Sequence, residues 1–341
     1  MPSDTPPGFD SVEALDDFMT KPDDALIADL AATDGDIIVL GVGGKMGPTL
    51  ARMAKRAAPE KRVIGVARFS EAGLEEKLQS WDVETIACDL LDADAVARLP
   101  PCDNVVFMAG RKFGTSGALD LTWGMNVHVP AIVAEAFRDS RIVAFSTGNI
   151  YPMVDVAGPG ASEETTPGAM GEYAQSCLGR ERLFEFFSGK YSTPGRIIRL
   201  NYAIDMRYGV LWDIGTKVFW GETIDLTAGH ANVIWQGEAN SRILRCLRHC
   251  TAPTTPINIS GPAVAVRDVA AKFGEIFGKT SAFVNTEDDT GWLVDTSHSD
   301  DLLGPLQVSA DTLIGWLADW IANDRESLNK PTAFDSRDGS F

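Results

Sequence analysis

Histidine is scarce in this chain. His128, His230, His249 and His298 are the only four, and none stands at metal-ligand spacing. The five cysteines (Cys88, Cys102, Cys177, Cys246, Cys250) are odd in number and show only a Cys-x₃-Cys on one helical stretch. That pattern argues against a metal site and against a disulfide framework, and it suits reduced thiols in a cytoplasmic protein. Positive charge is also in deficit. Lys and Arg total 30 against 48 Asp and Glu, for a net charge of -18, which argues against nucleic acid or anionic membrane as partners. No run approaches the length of a membrane span, and the N-terminus lacks a basic segment followed by an apolar one. The expectation is no signal peptide, no membrane span and no internal repeat. With 341 residues there is enough chain for a full α/β core and a second lobe.

The chain is organised around residues 36–47. Ile37, Ile38, Val39 and Leu40 read as a strand buried on both faces of a parallel sheet. Gly41, Gly44 and Gly47 follow with Lys45 and Met46 between them, and a helical pattern runs from 48 to 57. A phosphate-binding turn needs this arrangement. The first glycine allows the tight turn, the second lets backbone N–H groups approach a pyrophosphate, and the third lets the helix pack on the strand.

Before this turn, residues 11–30 carry apolar residues at helical spacing and predict one or two helices outside the sheet, behind a Pro-rich, mobile 1–9. A second strand over 62–67 ends at Arg68 and Ser70, where a dinucleotide fold places the adenosine ribose. With no carboxylate there, Arg68 either pairs with a 2′-phosphate or is a solvated surface cation. A third strand ends at 86–90, where Asp89 either accepts from an adenine amino group or caps the next turn; Leu90 follows, then a helix over 93–99. The fourth strand, 104–108, runs into Ala109, Gly110, Arg111, Lys112, Phe113 and Gly114. Small residues there leave room for a cofactor across the sheet edge, and two cations stand at that edge. A long helix contains 125–127 and 132–137. The fifth strand, 141–145, leads to Ser146, Thr147, Asn149 and Tyr151. A helix over 171–188 and a sixth strand over 196–200, ending at Tyr202, complete the regular part. Beyond it the pattern is irregular over 209–237, then predicts helices over 240–249, 266–277 and 302–321 and a short strand over 257–259. The tail, 329–341, is polar and reads as wrapping the surface.

These pieces together resemble the extended short-chain dehydrogenase/reductase superfamily, the NAD-dependent epimerase/dehydratase group, over about residues 36–280. The resemblance rests on the Gly41, Gly44, Gly47 loop, Asp89-Leu90, Ala109-Gly110, Asn126-Val127, Ser146-Thr147 with Tyr151, the run from Glu163 to Tyr173, and 258–261 with Arg267-Asp268. It implies a doubly wound parallel sheet (Rossmann) with a smaller C-terminal substrate lobe. The division read from it is a helical extension over 1–34, a dinucleotide-binding domain over 35–201 to which 236–262 returns, and a lobe from 202–235 and 263–341.

In the family, a Ser or Thr hydroxyl and the Tyr of a YxxxK helix act on the substrate oxygen, and the Lys lowers the Tyr pKa. Thr147 and Tyr173 match these two, but the residue four beyond Tyr173 is Cys177. A free Tyr titrates near pH 10, so as a base it needs a nearby cation. Arg180, Arg111 and Lys112 are the candidates; Cys177 itself reads as a small packed residue. Arg111, Asn149 and Tyr202 are the substrate-side candidates, with Arg207 able to join them. Trp212, Trp220 and Trp235 either stack on a sugar or belong to the core. His230 alone among the histidines is a substrate-side candidate.

The expected function is NAD(P)-dependent oxidoreduction or epimerisation of a small sugar, polyol or sugar acid, with NADP favoured over NAD, an anionic substrate and a homodimer. The rivals are a dinucleotide-binding regulatory protein without turnover, and a lyase or isomerase on the same fold.

Overall fold

The computed structural model describes residues 5–112, 117–328, 332 and 334–339. Five parallel strands come first: β1 (Ile37–Leu40), β2 (Val63–Ala67), β3 (Glu84–Ala87), β4 (Asn104–Phe107) and β5 (Arg141–Thr147). The strands Gly195–Leu200 and Thr255–Ile259 complete a seven-stranded sheet. In space the order is Thr255–Ile259, Gly195–Leu200, β5, β4, β1, β2, β3, and every pairing is parallel. This is a doubly wound α/β sheet, and the strand order reverses between β1 and β4.

Alternation along β1 shows why the sheet is covered twice. Ile37 and Val39 face a core shared with Leu50, Met53, Val143, Ile198 and Ile257. Ile38 and Leu40 face another, with Phe107, Val129, Val133 and Phe184. The helices Gly47–Ala57 and Gln236–Arg245 supply the first layer. The helices Val129–Ala136 and Gly171–Tyr191 supply the second.

The remaining core belongs to the C-terminal lobe and is built from the helices Val210–Trp220, Val266–Phe277 and Ala310–Ala322. Three sequence expectations change here. The segment 209–237 is not irregular throughout, since Val210, Leu211, Ile214 and Val218 form the buried face of a helix. The region 302–321 is two helices, Ser297–Leu303 and Ala310–Ala322, parted at Gly304-Pro305, because proline disfavours a helical residue before it. The N-terminal segment is not merely packed outside the sheet. Of its two helices, Val12–Met19 sends Leu15 and Met19 into the lobe core, while Asp24–Ala31 sends Leu26 and Leu30 into the sheet core. Phe9, expected to be mobile, is buried between Phe18, Trp235 and Trp316. In the tail, Phe334 is buried in the lobe and Arg337 donates to the Thr290 carbonyl; residues 329–331, 333, 340 and 341 lie outside the described residues. Among the described residues no helix is long and apolar enough to cross a membrane.

Candidate active site

The glycine turn leaves β1 at the carboxyl edge of the sheet. Gly41 sits at φ 91°, and a Cβ there would come within 2.6 Å of the Ala109 backbone nitrogen. That approach couples the turn to the end of β4 and requires glycine. At Gly47 a Cβ would overlap the Val42 carbonyl, so glycine lets the helix Gly47–Ala57 start against the strand. Gly43 and Gly44 are exposed, and a Cβ on Gly44 would meet only the Gly41 carbonyl oxygen. An open glycine surface at the start of an 11-residue helix fits a dinucleotide pyrophosphate. Arg68 and Ser70 lie exposed beyond β2. Asp89 accepts from the Leu91 backbone N–H at 3.1 Å, so it caps its turn, and Leu90 is buried in the core. The Lys45 ammonium lies 3.1 Å from the centroid of the Tyr208 ring in the opposite lobe.

Beside this turn a cleft of about 260 Å³ opens. Arg111, Lys112, Thr147, Asn149, Tyr173 and Tyr202 all line it, so chain positions more than ninety residues apart converge as the sequence suggests. Phe113 and Gly114, which follow Lys112, lie outside the described residues. Among the described residues three cations line the cleft (Arg111, Lys112, Arg180) and no carboxylate does.

Tyr173 and Thr147 are joined by a side-chain hydrogen bond. Burial pushes the Tyr173 phenol far above the usual tyrosine range, and the adjoining Cys177 thiol adds to this. Arg180 and the bond to Thr147 pull the other way and do not offset it. Cys177 is fully buried, and burial raises its thiol as well. It is a packed neutral residue. Arg180 donates to the Phe145 carbonyl at 2.8 Å and to Asn126 Oδ1 at 2.8 Å. A Cβ on Gly110 would overlap the Arg180 guanidinium, so glycine at the end of β4 makes room for that side chain. Asn126 stands in a π-helical turn, Gly124–His128, and also donates to the Arg111 carbonyl and Ser176 Oγ. Burial lowers the Lys112 ammonium to about 8, and its nitrogen stands 5.6 Å from the Tyr173 ring centroid.

Behind the cleft wall lies a buried ionic network. Arg199 pairs with Glu181 at 2.8 Å and donates to the Tyr151 hydroxyl at 2.7 Å; Ser146 Oγ donates to Glu181 at 2.5 Å. Burial pushes Tyr151 up to about 12, and its hydroxyl donates to Asn258.

The other candidates lie outside the cleft. Arg207 does not line the cleft, because it pairs with Asp205 at 2.6 Å and Asp16 at 3.0 Å. Trp235 is buried among Phe9, Phe18 and Trp316, Trp220 is 67% exposed, and Trp212 packs against the lobe core; none of the three lines the cleft. His230 lies on a two-stranded ribbon outside it. Among the described residues no His/Cys/Asp/Glu cluster could hold a metal ion. The tryptophan that does line the cleft is Trp292, whose indole nitrogen is buried without a hydrogen-bond partner. Nothing in the sequence marked it, since its loop folds back from the C-terminal lobe.

No protein-family model and no curated protein matches the sequence. Solved structures do. DesIV, a dTDP-glucose 4,6-dehydratase from Streptomyces venezuelae with NAD and TYD bound, superposes with a TM-score of 0.71 at 20% identity, covering 84% of this chain and 97% of its own. A UDP-glucose 4-epimerase from Thermus thermophilus in complex with NAD gives 0.69 at 18% identity, covering 83% and 98%. A UDP-glucuronic acid 4-epimerase from Bacillus cereus in complex with UDP-glucuronic acid and NAD gives 0.69 at 18%, covering 84% and 99%. The chain thus has the Rossmann fold of sugar-nucleotide epimerases and dehydratases, nearly entire. At these identities the likeness defines a fold.

Proposed function

We propose that the protein is an NAD(P)-dependent oxidoreductase or epimerase acting on a small sugar, polyol or sugar acid by hydride transfer. The observation that carries this reading is the Tyr173–Thr147 hydroxyl pair, facing a cleft beside a glycine turn at the carboxyl edge of a parallel sheet. The nicotinamide, when bound, supplies hydride transfer. Gly41, Gly44, Lys45, Met46 and Gly47 would hold the pyrophosphate, and Arg68, Ser70, Asp89, Leu90 and Ala109 the adenosine side. Tyr173 and Thr147 donate to the substrate oxygen and fix the carbon that bears it. Asn149, Tyr202 and Trp292 bound the far wall. Arg111, in a cleft that no carboxylate lines among the described residues, suits an anionic group through two parallel N–H bonds. Like-folded enzymes that hold NAD, one of them with a uronic acid ligand, support the substrate class.

Arg68 and Ser70 favour NADP over NAD, because a charge-assisted contact to a 2′-phosphate contributes about 1.5–3 kcal/mol, roughly ten- to hundredfold. Calorimetric titration in which NAD binds as tightly as NADP refutes that preference. The exposed Leu119, Leu121 and Trp123 of the helix Leu119–Trp123 suit a second copy as partner, which light scattering checks.

Nicotinamide absorbance, followed with a panel of sugar nucleotides, sugar acids and polyols, tests the whole reading. The buried neutral Cys177 in place of the lysine favours one rival, a dinucleotide-binding regulatory protein. Tight dinucleotide binding with no turnover of any panel member selects it. Turnover without a change in nicotinamide absorbance selects an epimerase, lyase or isomerase, and among these product analysis decides.

A further inference from the structure

We propose that Lys112, rather than Tyr173, carries the proton in this cleft. The inference rests on the hydride-transfer reading above and names the acid–base residue within it.

The position four beyond Tyr173 holds Cys177, whose thiol is neutral and fully buried, so the Tyr173 helix brings no ammonium to the phenol. Lys112 reaches the same cleft from the loop after β4. Its nitrogen lies over the Tyr173 ring, and it lines the cleft with Thr147 and Asn149. Among the described residues it stands near Tyr173 and Cys177 on the helix Gly171–Tyr191, and it lines the cleft with Arg180 on that helix, Thr147 on β5, its neighbour Arg111, and Tyr202 beyond the strand Gly195–Leu200. None of these is a carboxylate.

Each of the others fails as a proton carrier near neutral pH. Guanidinium groups do not release protons there. Burial holds Tyr173 and Tyr202 protonated, Tyr202 being pushed up to about 12. Cys177 is held protonated in the same way. A desolvated amine is different, because burial brings it down into the working range, here to about 8. Lys112 is the cleft residue that trades a proton without leaving that range.

The step balances as follows. The substrate carbinol C–H bond breaks, and its hydrogen leaves with both electrons for the bound nicotinamide dinucleotide, which is reduced. The hydroxyl O–H bond breaks, its proton goes to Lys112 Nζ, and its electron pair completes the new C=O bond. The carbinol is oxidised to a carbonyl. In the reverse direction the ammonium returns the proton. Tyr173 and Thr147 remain neutral throughout and hold the oxygen by hydrogen bonds.

Two measurements test this. Trace acetylation of the apoprotein across pH, read by mass spectrometry on the peptide containing Lys112, gives its titration without any turnover. A midpoint near 8 is expected; titration with the bulk lysines, near 10.4, overturns the proposal. The second is the pH profile of turnover. In the parent, oxidation rises through a limb near 8 and reduction falls through it. Lys112→Met should lose about a hundredfold in kcat along with that limb, at unchanged dinucleotide affinity. Lys112→Arg keeps the cation but cannot shed its proton, so it should not rescue. Tyr173→Phe should be slower yet keep the limb. Rescue by Lys112→Arg, or a limb that survives Lys112→Met and disappears in Tyr173→Phe, overturns the assignment to Lys112 while leaving the hydride-transfer reading intact. A parent without turnover on the whole panel removes that reading and the proton role with it.

Discussion

Glu181 and Arg199 meet with side chains 0% and 4% exposed, and the carboxylate also accepts from Ser146 at the end of β5. Removing one member of such a pair leaves an uncompensated buried charge, which costs about 3–5 kcal/mol. Glu181→Leu should lose that much in urea unfolding and loosen Ser146 beside Thr147, so kcat falls with stability. At Tyr173 the expected result is different. Tyr173→Phe removes one hydroxyl from a residue whose ring stays packed, so the melting temperature and dinucleotide affinity stay near the parent while kcat falls by about ten- to a hundredfold. That is near the weaker end of the range for acid–base chemistry, because here the phenol holds the oxygen and does not release its proton. Paired unfolding curves and steady-state kinetics separate the two residues.

At the scale of elements, the proposed cofactor seat depends on the glycine turn. Gly41→Ala puts a Cβ against the Ala109 backbone at a φ that side chains rarely adopt. Affinity for the dinucleotide should fall more than tenfold by calorimetry, together with a lower melting temperature. The sheet was legible in the sequence because its strands are short apolar runs such as Ile37–Leu40, delimited by glycine or charge and buried on both faces. The helix Val210–Trp220 was not, since Gly215, Thr216 and two tryptophans mask an amphipathic pattern whose meaning comes from the lobe it packs into. In the site, Thr147, Asn149, Tyr202 and Arg111 were legible from their positions after particular strands, and Tyr173 from the helix pattern that follows it. Arg180 was legible as a residue two helical turns beyond Tyr173. Its use of the space at Gly110 was not, because only the fold brings that helix against the end of β4. Trp292 and the pairing of Arg207 with Asp16 depend on long-range contacts that no local pattern carries.

At the scale of the whole molecule, a net charge of -18 surrounds a cleft lined by three cations. An anionic substrate is repelled at a distance and held on contact. The Debye length shortens from about 30 Å at 0.01 M salt to about 8 Å at 0.15 M, which screens the distant repulsion while sparing pairs inside the cleft. For an acidic substrate kcat/KM should therefore rise over that salt range, and for a neutral one it should stay level. A steady fall for the acid would place the binding cations on open surface instead. The N-terminal helices contribute at this scale too. Asp16 reaches Arg207, Asp29 reaches Arg245 at 2.7 Å, and Leu15, Met19, Leu26 and Leu30 enter two different cores. Deleting residues 1–31 should expose both cores and lower the melting temperature sharply in calorimetry.

The stacking of Lys45 on Tyr208 has a kinetic consequence. It ties the glycine turn to Tyr208, beside the seat proposed for the dinucleotide pyrophosphate. An arriving pyrophosphate competes with an aromatic ring for that ammonium, and separating the two costs about 0.5–2 kcal/mol. Association should thus be slowed by up to about thirtyfold relative to an unhindered turn. In stopped-flow fluorescence Tyr208→Ala should take up the dinucleotide faster, and a lysine released from the ring would be free to follow the phosphates instead.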